Sequence, residues 1–332
     1  SDVYKRQPDG KQAVFQAVGV LWTKDLPNGE PRRLTSQNDH FENFPQYSPD
    51  GRSIVYTTWD DEEQGSVRIV PASGGEGRVL TSRPGNYIEP TVSPDGSTVA
   101  YYQVSGGYLL SPMWGLETGL YTVPASGGEP MWVTDGGSSP RFSTDGERIF
   151  YIAGAREGVE LRSVDRTGRD ERTHVKGTNM AELAVSPDAR WVAFVDDYAV
   201  HVAPLATIGK AVSLGKGTKS IPVRKLSGRA GDFLAWQGDD TVTWTRGPIL
   251  YQRDLRDAFA FVDGAPDELP DPVEDGVDLG FAVRHDSPEG TIAFTGARVV
   301  TMRDAMAGTE EVIEDGVVVV EGRRIAAVGA AG

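Results

Sequence analysis

Short runs of β-branched and aromatic residues recur along this chain, separated by clusters of Gly, Pro, Asp and Ser. Ser53 to Thr58 (SIVYTT), Thr98 to Gln103 (TVAYYQ), Arg148 to Ala153 (RIFYIA) and Trp191 to Asp196 (WVAFVD) have the length and composition of strands. Each is preceded by a turn: Ser48-Pro49-Asp50-Gly51, Ser93-Pro94-Asp95-Gly96, Ser143-Thr144-Asp145-Gly146 and Ser186-Pro187-Asp188-Ala189. Pro8-Asp9-Gly10 is an earlier copy, and Gln237-Gly238-Asp239-Asp240 a degenerate later one. Proline presets φ, Asp bonds the amides just ahead of it, and Gly accepts the positive φ that closes the bend, so each turn predicts an antiparallel hairpin.

A third strand follows in each copy, at Val67 to Pro71, Leu120 to Pro124, Glu160 to Val164 and Val200 to Pro204. Two of these run into the same heptapeptide, Val-Pro-Ala-Ser-Gly-Gly-Glu, at 70–76 and 123–129, which marks a second hairpin. Arg33-Leu34-Thr35, Val79-Leu80-Thr81 and Trp132-Val133-Thr134 supply a fourth strand. Units of four strands with a period of roughly 40 to 50 residues are the signature of propeller blades, whereas a β-sandwich has no such repeat. The turns predict an all-β, six-bladed propeller.

Turn, aromatic strand, Gly-Gly hairpin and Leu-Thr or Val-Thr ending together resemble the TolB-like propeller repeat. The resemblance covers residues 8 to 262, within a propeller read as 8–263. The first seven residues, SDVYKRQ, resemble a translated sequencing-adapter scar and are set aside as an artefact. From 264 to 290 the chain is acidic and rich in Pro, which reads as a linker.

Residues 291–332 predict further strands, TIAFTGARVVTM and VIEDGVVVVEGRRIAAVG, with Asp315-Gly316 and Glu321-Gly322 at hairpin positions. This segment is similar to the opening β-sandwich of the amidohydrolase superfamily, here cut short. The resemblance implies that the parent protein hydrolyses C–N or peptide-like bonds in a barrel outside this sequence, using a divalent metal, zinc by analogy. The propeller would then be a non-catalytic scaffold or gate in a periplasmic or secreted hydrolase. Its partners would be that barrel and a small-molecule or peptide substrate. The alternative is a non-enzymatic propeller that binds a protein partner in the bacterial envelope.

Composition narrows the chemistry further. The chain has no Cys, which removes disulfides and thiolate catalysis, and its net charge of −15 would repel nucleic acid. No apolar run is long enough to span a bilayer. The four His, at 40, 174, 201 and 285, form no His-x-His or His-Glu-x-x-His motif and read as turn or surface residues. No Gly-x-Ser-x-Gly elbow exists, and Gly215 to Ser220 has P-loop composition without P-loop spacing. Neither a catalytic residue nor a metal ligand is therefore assigned to this chain.

Two weaker candidates remain. Glu42, Glu89 and Glu182 each lie shortly before a Ser-Pro-Asp turn, at positions that would gather at a channel mouth and attract a cation or a basic peptide. The long stretch from Ser105 to Thr118 carries Tyr108, Met113 and Trp114 and reads equally as a partner-binding loop or as a surface that packs against the barrel.

Overall fold

The computed structural model describes residues 4–104, 117–284, 289–303 and 311–331. Tyr108, Met113, Trp114 and His285 lie outside them. The chain forms two units, Ser1–Gly280 and Phe281–Gly332.

The first unit is a succession of six sheets, antiparallel except for one added strand in the fourth. Sheet one comprises β1 (Tyr4–Arg6), β2 (Gln12–Ala17), β3 (Val20–Asp25) and β4 (Arg32–Arg33). Sheet two comprises β5 (Phe41–Tyr47), β6 (Ser53–Trp59), β7 (Val67–Pro71) and β8 (Arg78–Val79), and sheet three β9 (Asn86–Val92), β10 (Thr98–Val104), β11 (Gly119–Pro124) and β12 (Met131–Thr134). Sheet four holds β13 (Ser138–Phe142), β14 (Arg148–Ala155), β15 (Gly158–Asp165) and β16 (Arg172–Gly177). Sheet five holds β17 (Met180–Val185), β18 (Trp191–Asp196), β19 (Ala199–Pro204) and, beyond the added strand β20 (Val212–Leu214), β21 (Arg224–Ala230). β20 pairs parallel to β16 and widens sheet four to five strands. Sheet six comprises β22 (Asp232–Gln237), β23 (Thr241–Arg246), β24 (Ile249–Asp254) and β25 (Val277–Asp278). Among the described residues the helical content of this list is one 3-10 turn, Leu255–Asp257.

The Ser-Pro-Asp turns join the first and second strands of their sheets through one repeated bond set. In sheet two the Ser48 hydroxyl donates to Asp50 Oδ1 at 2.6 Å, Asp50 accepts from the Arg52 amide, and the Ser53 amide donates back to Ser48 Oγ. The same bonds recur around Ser93, Ser143 and Ser186. Gly51, Gly96 and Gly146 close the bend at φ near +70°, whereas Ala189 does so at φ +55° with a Cβ to accommodate.

The repeated heptapeptides clip sheets together. Thr35 bridges to Gly75, and Thr81 to Gly128, so the Leu-Thr ending of one sheet meets the Gly-Gly turn of the next. A Cβ on Gly74 would stand 2.5 Å from the Leu34 carbonyl oxygen, which is why the turn needs glycine there. Between these clips lie apolar cores. Val14, Leu21, Ile54 and Tyr56 fill the space between sheets one and two, and Ala193, Val200, Val242 and Trp244 that between five and six.

The acidic stretch after residue 263 is a correction to the sequence reading, because it runs on within the first unit as far as Gly280. Phe259 and Phe261 stack on Trp191, the Val273 amide donates to the Leu226 carbonyl, and β25 completes sheet six against Ile249 and Leu250. Backbone pairing of this kind depends little on side-chain pattern, so the composition read as a linker. Tyr4–Arg6, set aside in that reading, pair with Ala13 to Phe15 as the first strand of sheet one.

The second unit is a three-stranded antiparallel meander of β26 (Thr291–Val300), β27 (Val312–Glu321) and β28 (Arg324–Ala330). Glu321-Gly322 sits at its second hairpin, as expected. Asp315-Gly316 does not: it lies inside β27, where Gly316 pairs with Ala297 at an irregular register. A Cβ on Gly316 would meet Val299 Cγ2 at 2.5 Å, so this glycine serves close packing within a sheet.

Candidate functional site: a central cavity

The first strands of the six sheets face one another. β1 packs against both β5 and β22, which closes the succession into a ring, and all six strands or their flanks line one cavity of about 340 Å³. The ends of the ring are also tied by hydrogen bonds, from Lys5 Nζ to the Leu234 carbonyl and from Lys24 Nζ to that of Asp278. Phe44, Pro90, Phe150, Leu161 and Phe233 give the cavity an apolar wall. Its charged groups are Lys5, Glu89, Arg141 and Glu182.

Register explains which side chains arrive there. The residue four before each turn Ser is Phe44, Glu89, Ser139 or Glu182, with Phe233 at the matching place in sheet six, and all five line the cavity. Four of these five take φ between +52° and +56°, which kinks the first strand and breaks its pairing register.

Glu89 and Glu182 therefore line the same cavity, but their bonds are structural. Glu89 accepts from the amide and hydroxyl of Ser139 in the next sheet, at 2.5 and 3.1 Å. Glu182 accepts from the amides of Phe233 and Leu234, at 2.9 and 2.8 Å. Each carboxylate satisfies donors that the strand kink leaves without a ladder partner.

Glu42 is two residues out of this register and is absent from the cavity lining. It is fully buried between sheets one and two, where Oε2 accepts from the Leu21 amide and Thr35 Oγ1, both at 2.8 Å. Burial pushes its pKa up against the pull of those two bonds. Its other oxygen lies 3.8 Å from His40 Nε2, and His40 Nδ1 faces Asp39 at 2.8 Å.

The sequence reading missed Arg141, which is one position along β13 from Pro140 and faces the cavity. Its hydrogen bond to the protein is a long one, 3.4 Å from Nη1 to the Pro140 carbonyl. Burial lowers its pKa, opposed in part by Glu89. Lys5 is likewise lowered, to about 8, first by burial and then by Arg141. Arg141 sits in an unremarkable Ser-Pro-Arg-Phe-Ser run, and the ring alone sets it beside Glu89.

The His also differ from expectation. His174 and His201 are buried strand residues, not turn or surface ones. Ser163 Oγ lies 2.7 Å from His174 Nε2, and His201 stacks on Phe194. Burial holds His174 near pKa 4 and lowers His201. Among the described residues no three His or carboxylate side chains converge as metal ligands would. In the Gly215 to Ser220 loop the Lys216 amide donates to Asp196, so this backbone already binds a carboxylate of its own chain. No helix among the described residues is long and apolar enough to cross a membrane.

No family model matches the chain. It is 36% identical over 133 residues to the protein named tricorn protease homolog 2 of Streptomyces coelicolor, covering 37% of this chain and 11% of that protein. It is 29% identical over 143 residues to the uncharacterized peptidase YuxL of Bacillus subtilis, covering 40% of this chain and 20% of that one. The chain thus spans a minor part of the curated relatives it matches. Its fold is similar to that of a TolB structure from Agrobacterium tumefaciens, with TM-score 0.51 and 18% identity over 68% of this chain and 90% of the other. The first unit is a propeller of the TolB-like kind.

Proposed function

We propose that this chain is the propeller part of a larger hydrolase, in which the ring admits or positions substrate and a separate domain carries out bond cleavage. The observation that carries this reading is the pairing of a ring around an apolar-walled cavity with a second unit that has two bare faces. In the second unit most of β26 and β28 is exposed, with Phe294 56% and Ile325 67% accessible. A three-stranded sheet that buries so little needs another layer to be stable. The named relatives are a protease homologue and a peptidase, which supports hydrolysis as the parent's chemistry.

Within that class we favour a metal-dependent amidohydrolase, on the likeness of the meander and its Arg324-Ile325-Ala326-Ala327-Val328-Gly329 strand to the opening sandwich of that superfamily. The metal, zinc by analogy, would be held by that barrel. An envelope location follows from the same reading. A serine peptidase parent is the second reading, and the two curated relatives favour it.

The test is to express the parent protein and assay a panel of amides, cyclic amides and short peptides. Activity removed by a chelator and restored by zinc supports the amidohydrolase reading. Chelator-resistant activity with covalent labelling by a fluorophosphonate supports the serine peptidase. Absence of hydrolysis by the intact protein, with tight capture of an envelope protein, would favour the non-enzymatic alternative.

A further inference from the structure

The cavity holds two cations, Lys5 and Arg141, beside its two glutamates. Glu89 and Glu182 each accept at both oxygens from the next sheet, Glu89 from Ser139 and Glu182 from the Phe233 and Leu234 amides. Arg141 is in the opposite position. A guanidinium has five N–H donors in a rigid fork, and among the described residues this one makes a single 3.4 Å contact, to its neighbour's carbonyl. Among the described residues it forms no ion pair with a carboxylate, and Glu89 acts on it through space. Arg141 is half-buried in the cavity lining, so the N–H donors left over face the cavity, where a ligand can take them.

We propose that the cavity is a carboxylate-recognition site in which Arg141 takes the carboxylate of a small acid with an apolar body, such as the C-terminal residue of a peptide. The volume of about 340 Å³ is at the lower end of the range for small-molecule sites, enough for one or two residues. Phe44, Phe150 and Phe233 would cover the apolar body, and the guanidinium would meet the carboxylate with two parallel bonds. Lys5 adds positive charge, but it lies in the stretch that resembles an adapter scar and already donates to Leu234, so the site is assigned to Arg141. The inference rests on the hydrolase reading only in calling this acid a substrate or product.

Calorimetric titration of the full 332-residue chain with N-acetylphenylalanine and with its amide tests the proposal. The acid is expected to bind more tightly than the amide by tenfold to a hundredfold, roughly the value of a charge-assisted pair. Arg141→Gln should erase that preference, Arg141→Lys should retain part of it, and Lys5→Gln should leave most of it. Circular dichroism melts of each variant establish that the ring is intact, and Arg141→Lys keeps the test usable where Arg141→Gln does not fold.

A tetrapeptide ending in Phe that binds as well as the single residue identifies a peptide terminus as the source, and exclusion of the longer chain identifies a free small acid. Equal affinity for acid and amide overturns the proposal, as does a preference that survives Arg141→Gln. Such a failure leaves the hydrolase reading standing, because that is judged by turnover in the parent protein.

Discussion

Ser1–Gly280 and Phe281–Gly332 are written in the same vocabulary of β-branched strands and glycine hairpins, yet they bury very different fractions of it. In the ring each sheet packs against the one before and the one after it, and residues such as Ile54, Val99, Ile149, Val192 and Val242 are completely covered. In the meander Ile292, Phe294, Ile325 and Val328 stay at least 42% accessible. Strand composition therefore decides that a segment pairs, and the neighbouring layer decides whether pairing is worth anything in stability. A ring supplies each sheet with its neighbour. A meander has to find one.

Truncating one large apolar side chain in each unit is the strongest way to break this comparison. Trp244→Ala removes an indole that is 1% accessible and should cost about 3–5 kcal/mol, read as a lower denaturant midpoint. Phe294→Ala should change the same midpoint by less than about 0.5 kcal/mol. Comparable losses would mean that the meander has a core of its own.

The next effect is set by pH. His174 is ordinarily protonated below 6.5 but is held near 4 by burial in sheet four. Above pH 6.5 both folded and unfolded forms are neutral and nothing changes. As pH falls from 6.5 toward 4 the unfolded chain takes up a proton that the folded one refuses, so stability drops, by on the order of 3 kcal/mol at completion. His174→Gln should flatten this part of the pH–stability curve, and an unchanged slope would show that the ring admits water to the imidazole.

Smaller effects test how sheets are held to one another. Glu182→Ala leaves the Phe233 and Leu234 amides without their acceptor and should destabilise by about 1.5–3 kcal/mol, with Glu182→Gln losing less. Ala189→Gly should do the opposite, raising stability by about 0.5–1 kcal/mol through relief of its positive φ. Stabilisation by Glu182→Ala would mean the carboxylate is held in the cavity for binding at the expense of the fold.

Much of the ring was legible because its signals are local. Trp191–Asp196 was delimited to the residue, and Ser53 and Thr98 were placed as strand starts, since a Ser-Pro-Asp turn states where the next strand begins. β20 and β25 were not, because strands of three and two residues are defined by the partners they meet and not by their own pattern. The site was half legible for the same reason. Glu89 and Glu182 share a place relative to the turn, whereas Glu42 is two residues away and belongs to a sheet interface. Arg141 carries no motif, and its place in the cavity lining emerges only when β13 takes its place in the ring.

Amide hydrogen exchange on the whole chain tests the contrast between the units most directly. Amides of Val99, Ile149 and Val192 should exchange only with unfolding of the ring, while those of Val318 and Ala327, paired in the meander, should exchange orders of magnitude faster under the same conditions. Equal protection of the two sets would contradict the account, because the meander would then have found its second layer within this chain.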